Sequence, residues 1–473
     1  MFVIDRRLAQ TLRAVLRRGS DETPARADRL PVVFRQGTHG LLVTACTEEF
    51  AMACTVPGPV GEGVFACAAG ALAAFEGRTD DPVELAPGPE TIRARWIDNG
   101  IPQQHDLLAL AVDGLPVMPA GPKQFTPMPA ALLPALHEAS ISTIHTPNKY
   151  ALNRIQLKGR AGQVIGSDSR QLLVQGGFTF PFTEDLLIPR SGLFNLPALL
   201  NESEVALGRT ETHLALRVGN WSFTWLIDAK GRFPDAACLI PKPSAAKTRF
   251  ELDPQDAEFF VRVLGRRLQT SDDLNLTLDL GESACFRFKR GTQVVEIALP
   301  RSRVDGAAVR VHVDVRQVLR AIEQRFAKFE VSGAGKPYLA RADDRLFLAM
   351  PLNESLCVLP HADAVRMSPL DQALVPVRKK VARMLPAERP VVTTSTEVTP
   401  VTSVVVGTSP IESDEPFDVF NEATALADAV ARAALHAGRV LGYLRGLYRQ
   451  PQVSQFVRQS FHSLTDRIAR SNP

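Results

Sequence analysis

The stretch that decides the fold is Leu186–Pro241, which contains LLIPRSGLFNLPALL at positions 186–200 and WSFTWLIDAKGRFPDAACLIP at 221–241. The pattern predicts a hydrophobic strand that ends in Ile188-Pro189, after which a short helix begins. Two further strands follow, and the second ends in Leu226-Ile227-Asp228, before the proline segments Phe233-Pro234-Asp235 and Ile240-Pro241. The order of these strand ends and prolines is the most specific signal in the chain.

Length and composition favour an ordinary globular protein of about three domains. The chain has 473 residues, of which 45% are hydrophobic and 22% charged, and its formal net charge is +3. Its six cysteines show no CxxC spacing, which favours reduced buried thiols over a zinc site or a disulfide framework. No apolar run reaches the ~18 residues of a membrane span, and the charged N-terminal stretch is unlike a signal peptide. We therefore expect a cytoplasmic protein without a membrane partner.

Three successive segments share one pattern, a helix followed by alternating strands, and predict three domains at 1–120, 125–242 and 246–360. Proline-rich stretches separate them. The predicted helices are Asp5–Arg18, Ala66–Phe75, Ala130–His145, Asp253–Gln269 and Asp314–Phe326.

The composition changes after Pro360. Residues 387–416 are rich in Thr, Val, Pro and Ser, which predicts a disordered linker. An Ala- and Leu-rich pattern over 417–470 predicts a helical tail, interrupted at Pro451. Its helices have three alternative roles: packing back on the three domains, self-association, or binding another protein or nucleic acid.

The stretch at 186–241 resembles the central domain of the bacterial DNA polymerase III beta subunit, the DNA sliding clamp. Weaker matches lie at Leu42–Phe50, Ser167–Leu172 and Met350–Asn353, so that the resemblance covers Met1 to about Asn353. The chain is identified on these residues as a divergent member of that family with a C-terminal extension. The resemblance implies an α+β protein with the DNA clamp fold, in which three similar domains of helices and antiparallel sheets form each protomer.

The same resemblance implies a function. Members of this family are non-catalytic processivity factors: a homodimeric ring, joined from the first domain of one protomer to the third domain of the other, encircles duplex DNA without sequence specificity and tethers the polymerase. The implied partners are double-stranded DNA, the DNA polymerase III catalytic subunit and the clamp loader. Two alternatives stay open: a specialised paralogue acting in repair or regulation, and an interaction scaffold that closes no ring and acts through its helical tail.

The resemblance also implies a cleft between the second and third domains that receives a short peptide from partner proteins. The matching positions are Leu157, Ser167, Ser169, Arg170, Leu172, Pro241, Leu348, Met350, Pro351 and Leu352. Two departures put partner specificity in doubt. Ser169-Arg170-Gln171 replaces the family's Gly-His-Arg, and the chain continues for 120 residues past Asn353, where family members end. The extension is therefore a candidate to remodel or fill the cleft.

A sliding ring holds DNA through cations that face phosphates and make no base contacts. In the family, helices line the hole, and the predicted helices carry a set of arginines on their polar faces: Arg6, Arg13, Arg17, Arg262, Arg266, Arg267, Arg316 and Arg320. The alternative is an ordinary solvated helix face. The middle helix weakens the expectation because its titratable groups are only His137, Glu138 and His145.

No catalytic constellation is found in the sequence. There is no P-loop, HExxH or GxSxG motif, and the acidic pairs Asp272-Asp273 and Asp343-Asp344 are adjacent residues whose side chains diverge in extended chain. We expect no enzyme activity, no cofactor and no metal site. Any polymerase or exonuclease activity would belong to the holoenzyme that a clamp serves.

Overall fold

The computed structural model describes residues 2–20, 23–146, 149–265 and 275–370. These residues belong to one compact unit, Met1–Lys380. The predicted linker at 387–416 and the predicted helical tail at 417–470 lie outside the described residues, as do Arg266, Arg267 and the Asp272-Asp273 pair.

The elements form three repeats. The first comprises β1 (Phe2–Asp5), α1 (Arg6–Gly19), α2 (Pro24–Ala27), β2 (Pro31–Gly37), β3 (Gly40–Cys46), β4 (Phe50–Val56), β5 (Gly63–Ala68), a 3-10 helix (Ala69–Ala74), β6 (Pro82–Pro87), β7 (Thr91–Asp98) and β8 (Ile101–Leu108). The second comprises β9 (Thr126–Met128), α3 (Leu132–Ile141), β10 (Arg154–Lys158), β11 (Gln163–Ser167), β12 (Gln171–Gln175), β13 (Asp185–Pro189), a 3-10 helix (Gly192–Asn195), α4 (Pro197–Leu200), β14 (Val205–Arg209), β15 (His213–Val218) and β16 (Trp221–Leu226).

After 3-10 segments at Ala236–Leu239 and Pro243–Ala245, the third repeat begins. It comprises β17 (Thr248–Glu251), α5 (Pro254–Gly265), β18 (Asn275–Leu280), β19 (Ala284–Arg290), β20 (Gln293–Leu299), β21 (Arg303–Gly306), β22 (Val309–Asp314), α6 (Val315–Glu323), β23 (Lys328–Val331), β24 (Tyr338–Ala342) and β25 (Arg345–Ala349). A 3-10 turn at Glu354–Leu356 and a last strand, β26 (Val365–Met367), follow.

The strand connections are the same in all three repeats. The first strand pairs with the strand that opens the second meander, as β1–β6, β9–β14 and β17–β23. The first meander of each repeat consists of β2–β4, β10–β12 or β18–β20, and the second of β6–β8, β14–β16 or β23–β25. The strand that opens the first meander pairs with the strand before the second helical segment, as β2–β5, β10–β13 and β18–β22. In each repeat two strands end a meander: β4, β12 and β20 end the first meander, and β8, β16 and β25 end the second.

Four of these strands join neighbouring repeats, in two pairs. Strand β4 pairs antiparallel with β16, which makes one sheet of eight strands across the first two repeats. Strand β12 pairs antiparallel with β25, which makes one sheet of nine strands across the last two. Strand β8 is the edge of a separate four-stranded sheet, and β20 lies next to the last strand, β26, of a five-stranded sheet.

Amphipathic helices cover one side of these sheets. The Asp5 side chain caps α1 by accepting a hydrogen bond from the Leu8 N–H, as its position before the apolar pattern predicts. Leu12 and Leu16 of α1 are fully buried in the core, and each stabilises the fold by ~2 kcal/mol through the apolar area it removes from water. Asp314 caps α6 in the same way, by accepting from the Arg316 N–H.

One predicted helix is wrong and another is shorter than predicted. Instead of a helix at Ala66–Phe75, the chain forms β5 and then a 3-10 helix at Ala69–Ala74. Pairing with β2 decides this, because helix propensity is a weak preference that tertiary contacts override. The middle helix ends at Ile141, so His145 lies beyond it.

Candidate functional site

The joint between the second and third repeats builds an apolar cleft floor. In the register of β12 with β25, Leu172 lies opposite Leu348 and Val174 opposite Leu346. Directly opposed residues of an antiparallel pair share one face of the sheet. These four side chains form a buried cluster with three others from the two repeats: Ile165, Ala236 and Leu339. This face is the one turned away from the helices.

The segment after β16 forms one wall of the cleft. Phe233 and Ile240 pack partly buried against the floor cluster. The guanidinium of Arg341 reaches the Pro241 carbonyl oxygen at 3.5 Å, which ties this wall to the third repeat. Apolar side chains remain exposed nearby, because Leu239 is 52% and Met350 40% exposed. An apolar floor with exposed apolar neighbours suits the anchors of a short extended peptide.

A tight turn at Ser167–Gln171 borders the cleft. The Asp168 carboxylate accepts the backbone N–H groups of Arg170 and Gln171, each at 2.8 Å, and the Gln171 side-chain amide at 2.9 Å. Ser169 has a φ of 77°, where the family has glycine, and such a conformation costs a residue with a Cβ ~1 kcal/mol. The Met350 N–H donates to the Arg170 carbonyl at 2.8 Å, so the turn is held against the third repeat.

Leu157 does not lie in the cleft. It is paired with Val164 on one side and Leu186 on the other, and all three belong to the main core beneath the helices. Successive strand residues point to opposite faces, so the neighbouring Gln156, opposite Ile165, is on the cleft face instead. The prediction that Leu157 lines the cleft was therefore wrong, because adjacent residues of a strand lie on opposite faces of the sheet.

Sequence reasoning missed several floor residues. Val174 and Leu346 are two residues from Leu172 and Leu348, and strand alternation is the signal that identifies them. Ile165 and Leu339 follow from the hairpin registers, which the sequence does not reveal.

The chain leaves the cleft after Pro351. The Leu352 N–H donates to the His312 carbonyl at 2.7 Å, and the Val358 N–H donates to the Thr277 hydroxyl at 2.7 Å. Val358 is buried against the third repeat. We call Leu352–Met367 the strap, because it crosses the outer face of the sheet of β18 and β22 and ends as β26 on β20. The described part of the extension thus runs away from the cleft.

The predicted DNA-facing arginines of α1 are matched by carboxylates. Arg17 donates two hydrogen bonds to Asp28, at 2.9 and 2.6 Å. Arg13 is 15% exposed and pairs with Glu76 and, at 3.5 Å, with Asp28. The hydrogen bonds from Arg17 hold the pKa of the Asp28 carboxyl below its ordinary value. Because both cations have their charge balanced within the first repeat, the free cationic face expected for this helix is reduced.

Arg6 is equally engaged, while another arginine of the same helix is exposed. Arg6 is 13% exposed and donates to Asp98 at 2.8 Å and to the Phe75 carbonyl at 3.2 Å. Arg18, at the end of α1, is exposed to solvent. The contact of Arg6, Arg13 and Arg17 with DNA stays a prediction.

Arg320 lies between the second and third repeats. It is 11% exposed, and its guanidinium donates to the backbone carbonyl of Glu138 on α3 and to the Glu138 carboxylate, the latter at 3.3 Å. Gln324 donates to the same carboxylate at 2.8 Å. Burial lowers the pKa of the Arg320 guanidinium from its ordinary value. This residue joins α6 to α3, and its predicted role as a DNA contact is disfavoured by that position.

The remaining predicted arginines are on the surface. Arg316 is exposed at the start of α6, and Arg262 is exposed on α5, where it pairs with Glu258 at 3.0 Å. Arg316 borders a groove of about 450 Å³ between α3 and α6. Its ten lining residues include three arginines and four acids, so the groove as a whole is close to neutral.

A larger groove of about 890 Å³ lies elsewhere, beside the connection at 121–126, and none of the predicted site residues lines it. Within the described residues, no helix is long and apolar enough to cross a membrane, and no cluster of His, Cys, Asp and Glu side chains suited to hold a metal ion is present. The cysteines of this part are free thiols, and burial raises the pKa of Cys67 to about 12, which disfavours a reactive thiolate.

Comparison with known proteins gives fold but no sequence family. No family model and no curated protein matches the chain. Solved structures do match, each over 74% of this chain. They include the DNA polymerase III beta subunit of Pseudomonas aeruginosa, 18% identical with a TM-score of 0.61 over 99% of its length, and the sliding clamp of Bacillus subtilis, 17% identical with a TM-score of 0.61 over 98%.

The chain has the DNA sliding clamp fold. A putative beta subunit from Eubacterium rectale, 11% identical with a TM-score of 0.62 over 99% of its length, extends the match to a third organism. The expected α+β architecture of helices and antiparallel sheets is thereby confirmed. At these identities the likeness defines the clamp fold alone.

Proposed function

We propose that this protein is a DNA sliding clamp, a non-catalytic processivity factor that closes a homodimeric ring around duplex DNA and tethers a DNA polymerase. In this proposal a clamp loader opens the ring, the protein is cytoplasmic and associates with the nucleoid, and no cofactor is needed. The observation that carries the proposal is the cleft at the β12–β25 joint, whose buried floor of Leu172, Val174, Leu346 and Leu348 lies beside exposed Met350.

The cleft suits a tethering role because it offers a fixed apolar surface without reactive groups. A bound peptide with two apolar side chains would cover floor and rim, and its binding would rest mainly on a few anchors. The exposed Arg170 belongs to the turn at Ser167–Gln171 that borders the cleft, and its position in the sequence differs from the family pattern. We infer that this protein prefers partner peptides other than those of typical clamps.

A second candidate function is a clamp-fold paralogue specialised for repair or regulation. The strap supports it, because it adds to the clamp fold a segment that covers the outer face of the third repeat and ends on a sheet edge. The third alternative is a scaffold that acts through its helical tail. A ring is favoured over it, because β8 and β20 end their meanders without pairing with another repeat of the chain.

Topological retention tests the clamp function. The full chain is loaded on nicked circular DNA with the clamp loader and ATP of its own organism, and the DNA is then linearised with a restriction enzyme. A ring stays on the circle in high salt and slides off the linear DNA. Equal loss from circular and linear DNA would contradict encirclement and favour the scaffold.

A charge in the cleft tests the peptide site. Met350→Glu puts a carboxylate where a peptide anchor packs, and we expect at least about tenfold weaker binding of the polymerase subunit, equivalent to ~1.4 kcal/mol. Leu356→Glu is the matched control, since Leu356 is 60% exposed on the strap. Surface plasmon resonance with immobilised polymerase subunit measures both. Equal binding by the two variants would exclude the cleft as the docking site.

A further inference from the structure

The repeated architecture indicates a pairing partner for two strands, β8 and β20. Inside the chain, the last strand of a first meander pairs twice with the last strand of a second meander, as β4 with β16 and β12 with β25. The equivalent strands without such a partner in the chain are β20 in the third repeat and β8 in the first. A second copy of this chain offers each edge the strand type that it pairs with elsewhere.

The internal joints also fix the register that such a pair would have. The first residues of β4 and β12, Phe50 and Gln171, lie opposite Trp225, the penultimate residue of β16, and Ala349, the last residue of β25. Placing core-facing residues opposite each other then sets Gln293 of β20 opposite Leu107 of β8. Val295 is 3% and Leu107 4% exposed, so both strands already turn these side chains toward the helices.

In this register Val295 lies opposite His105, Glu296 opposite Gln104, and Val294 opposite Asp106. The edge β8 itself is open, and its apolar end residues Ile101 and Leu108 are 60% and 71% exposed. A long exposed edge of this kind is a template for pairing with another strand.

The other edge, β20, is covered by the strap. Val365, Arg366 and Met367 of β26 lie opposite Val295, Glu296 and Ile297. This pairing is parallel and three residues long, whereas the other strand pairs of the described chain are antiparallel and each internal joint has five residue pairs. Short parallel pairing is the weaker kind.

A row of alternating charges holds β26 in place. Arg366 lies 3.5 Å from Glu296, Glu296 accepts from Arg287 at 2.7 Å, Arg287 pairs with Asp279, and Asp279 accepts from Arg310 at 2.9 Å. The row crosses all five strands of the sheet. Arg366 is its most exposed member, with 65% of its side chain accessible.

We propose that β26 is a removable cap on β20, and that a second copy of this chain closes the ring by placing its β8 where β26 lies. The same site cannot hold both strands, so β26 must leave β20 when β8 of the second copy binds there and the ring closes. In the closed pair Gln104, which accepts from Arg95 at 3.3 Å, takes the place of Arg366 beside Glu296. The inference rests on the proposed clamp function and adds a control of ring closure to it.

Reversing the charge of Arg366 tests the cap in the full chain. Arg366→Glu places two carboxylates side by side on β20 and β26, and we expect the dimer dissociation constant to fall by about tenfold or more. Arg366→Lys keeps the charge and serves as the matched control, with a constant near that of the wild type. Sedimentation equilibrium measures all three proteins. An unchanged or weaker dimer in Arg366→Glu would overturn the proposal.

A reversible lock provides a second, independent test. Glu296→Cys with Arg366→Cys joins register partners of β20 and β26, and Cys238→Ser removes the exposed native thiol. The oxidised protein is expected to stay monomeric and the reduced protein to dimerise at the same concentration. Dimerisation in both states would show that β26 does not block closure.

Crosslinking between copies checks the edge itself. A mixture of Asp106→Cys chains and Val294→Cys chains is expected to form a disulfide across the proposed register, and Arg93→Cys, one strand further in on β7, is expected to form little with Val294→Cys. Absence of the first crosslink would overturn the exchange. Crosslinked dimers that are not retained on circular DNA would refute the clamp function and leave the cap standing, whereas retention by the locked protein would refute the cap alone.

Discussion

At the scale of single residues, Asp28 organises the cations of α1. It accepts two hydrogen bonds from Arg17 and lies 3.5 Å from Arg13, and its side chain is 28% exposed. Its pKa in the folded protein is lowered, first by the Arg17 hydrogen bonds. A lowered pKa means that the folded state favours the charged carboxylate, so the stabilisation is full above the ordinary pKa of about 4 and is lost as the pH falls through the folded-state value.

Asp28→Asn is therefore expected to lower the free energy of unfolding by ~1 kcal/mol at pH 7, in the range of charge-assisted pairs near the surface. The difference from the wild type should shrink as the pH falls below about 4. Urea denaturation at pH 7 and pH 3 measures it. Asp80→Asn, at a 70% exposed side chain that pairs with Arg7, is the control and should change little at either pH. A pH-independent loss for Asp28→Asn would exclude the charge as its cause.

Glu138 joins α3 to α6. Its carboxylate and backbone carbonyl receive Arg320, and the carboxylate also receives Gln324. Removing one partner of a buried ion pair leaves an uncompensated charge, which typically costs ~3–5 kcal/mol. Here the backbone carbonyl stays with Arg320, so the expected loss for Glu138→Ala is nearer ~2–3 kcal/mol.

Unfolding in guanidinium chloride measures the free energy of unfolding of this variant. The control is Glu282→Ala, which removes an exposed carboxylate in the turn after β18. The control is expected to stay within ~0.5 kcal/mol of the wild type. A comparable change in both variants would show that the Arg320–Glu138 contact contributes no stability.

At the scale of elements, the sequence predicted most of what local pattern determines. The helix at Asp5–Arg18 and the cap of α6 are confirmed, because an apolar stripe and a capping aspartate act within one turn. The face of Leu157 was wrong because it depends on hairpin register. The partners of Arg6 and Arg320 lie 92 and 182 residues away along the chain, and a helix pattern cannot reveal such distant carboxylates.

The strap is the element that distinguishes this chain from the clamp repeats. Val358 is its buried anchor, 8% exposed, while the next residue, Leu359, is 63% exposed. Val358→Ala is expected to lower the free energy of unfolding of the third repeat by ~1–2 kcal/mol, because it removes buried methyl groups and leaves a gap. Leu359→Ala should cost less than ~0.5 kcal/mol. Hydrogen exchange of the backbone amides in β18 and β22 distinguishes the two variants. Equal protection in both would show that Val358 does not anchor the strap to these strands.

At the scale of the whole molecule, the same arrangement serves two tasks. Two internal joints use the edges of the repeats to build continuous sheets, and the second joint also builds the cleft. Several cations of the helix side are balanced by acids, so a duplex held there, as we propose, would meet few exposed charges. A modest number of phosphate contacts agrees with the proposed function, in which the protein holds duplex DNA and slides along it.

Arg18 and Arg316 are the exposed arginines at the end of α1 and the start of α6, on the helix side of the sheets. We expect Arg18→Gln with Arg316→Gln to weaken duplex binding by the full chain and to reduce the slope of log affinity against log salt by about 1.8, since each phosphate contact contributes about 0.9. Lys289→Gln with Arg290→Gln, at the exposed turn between β19 and β20, changes the net charge equally but lies on the strands. Fluorescence anisotropy over a salt series compares the two. If both pairs reduced the slope alike, binding would follow net charge, and the helix side would not be the DNA-facing surface. A change confined to the helix pair would place DNA against the helices, as the proposed clamp function requires.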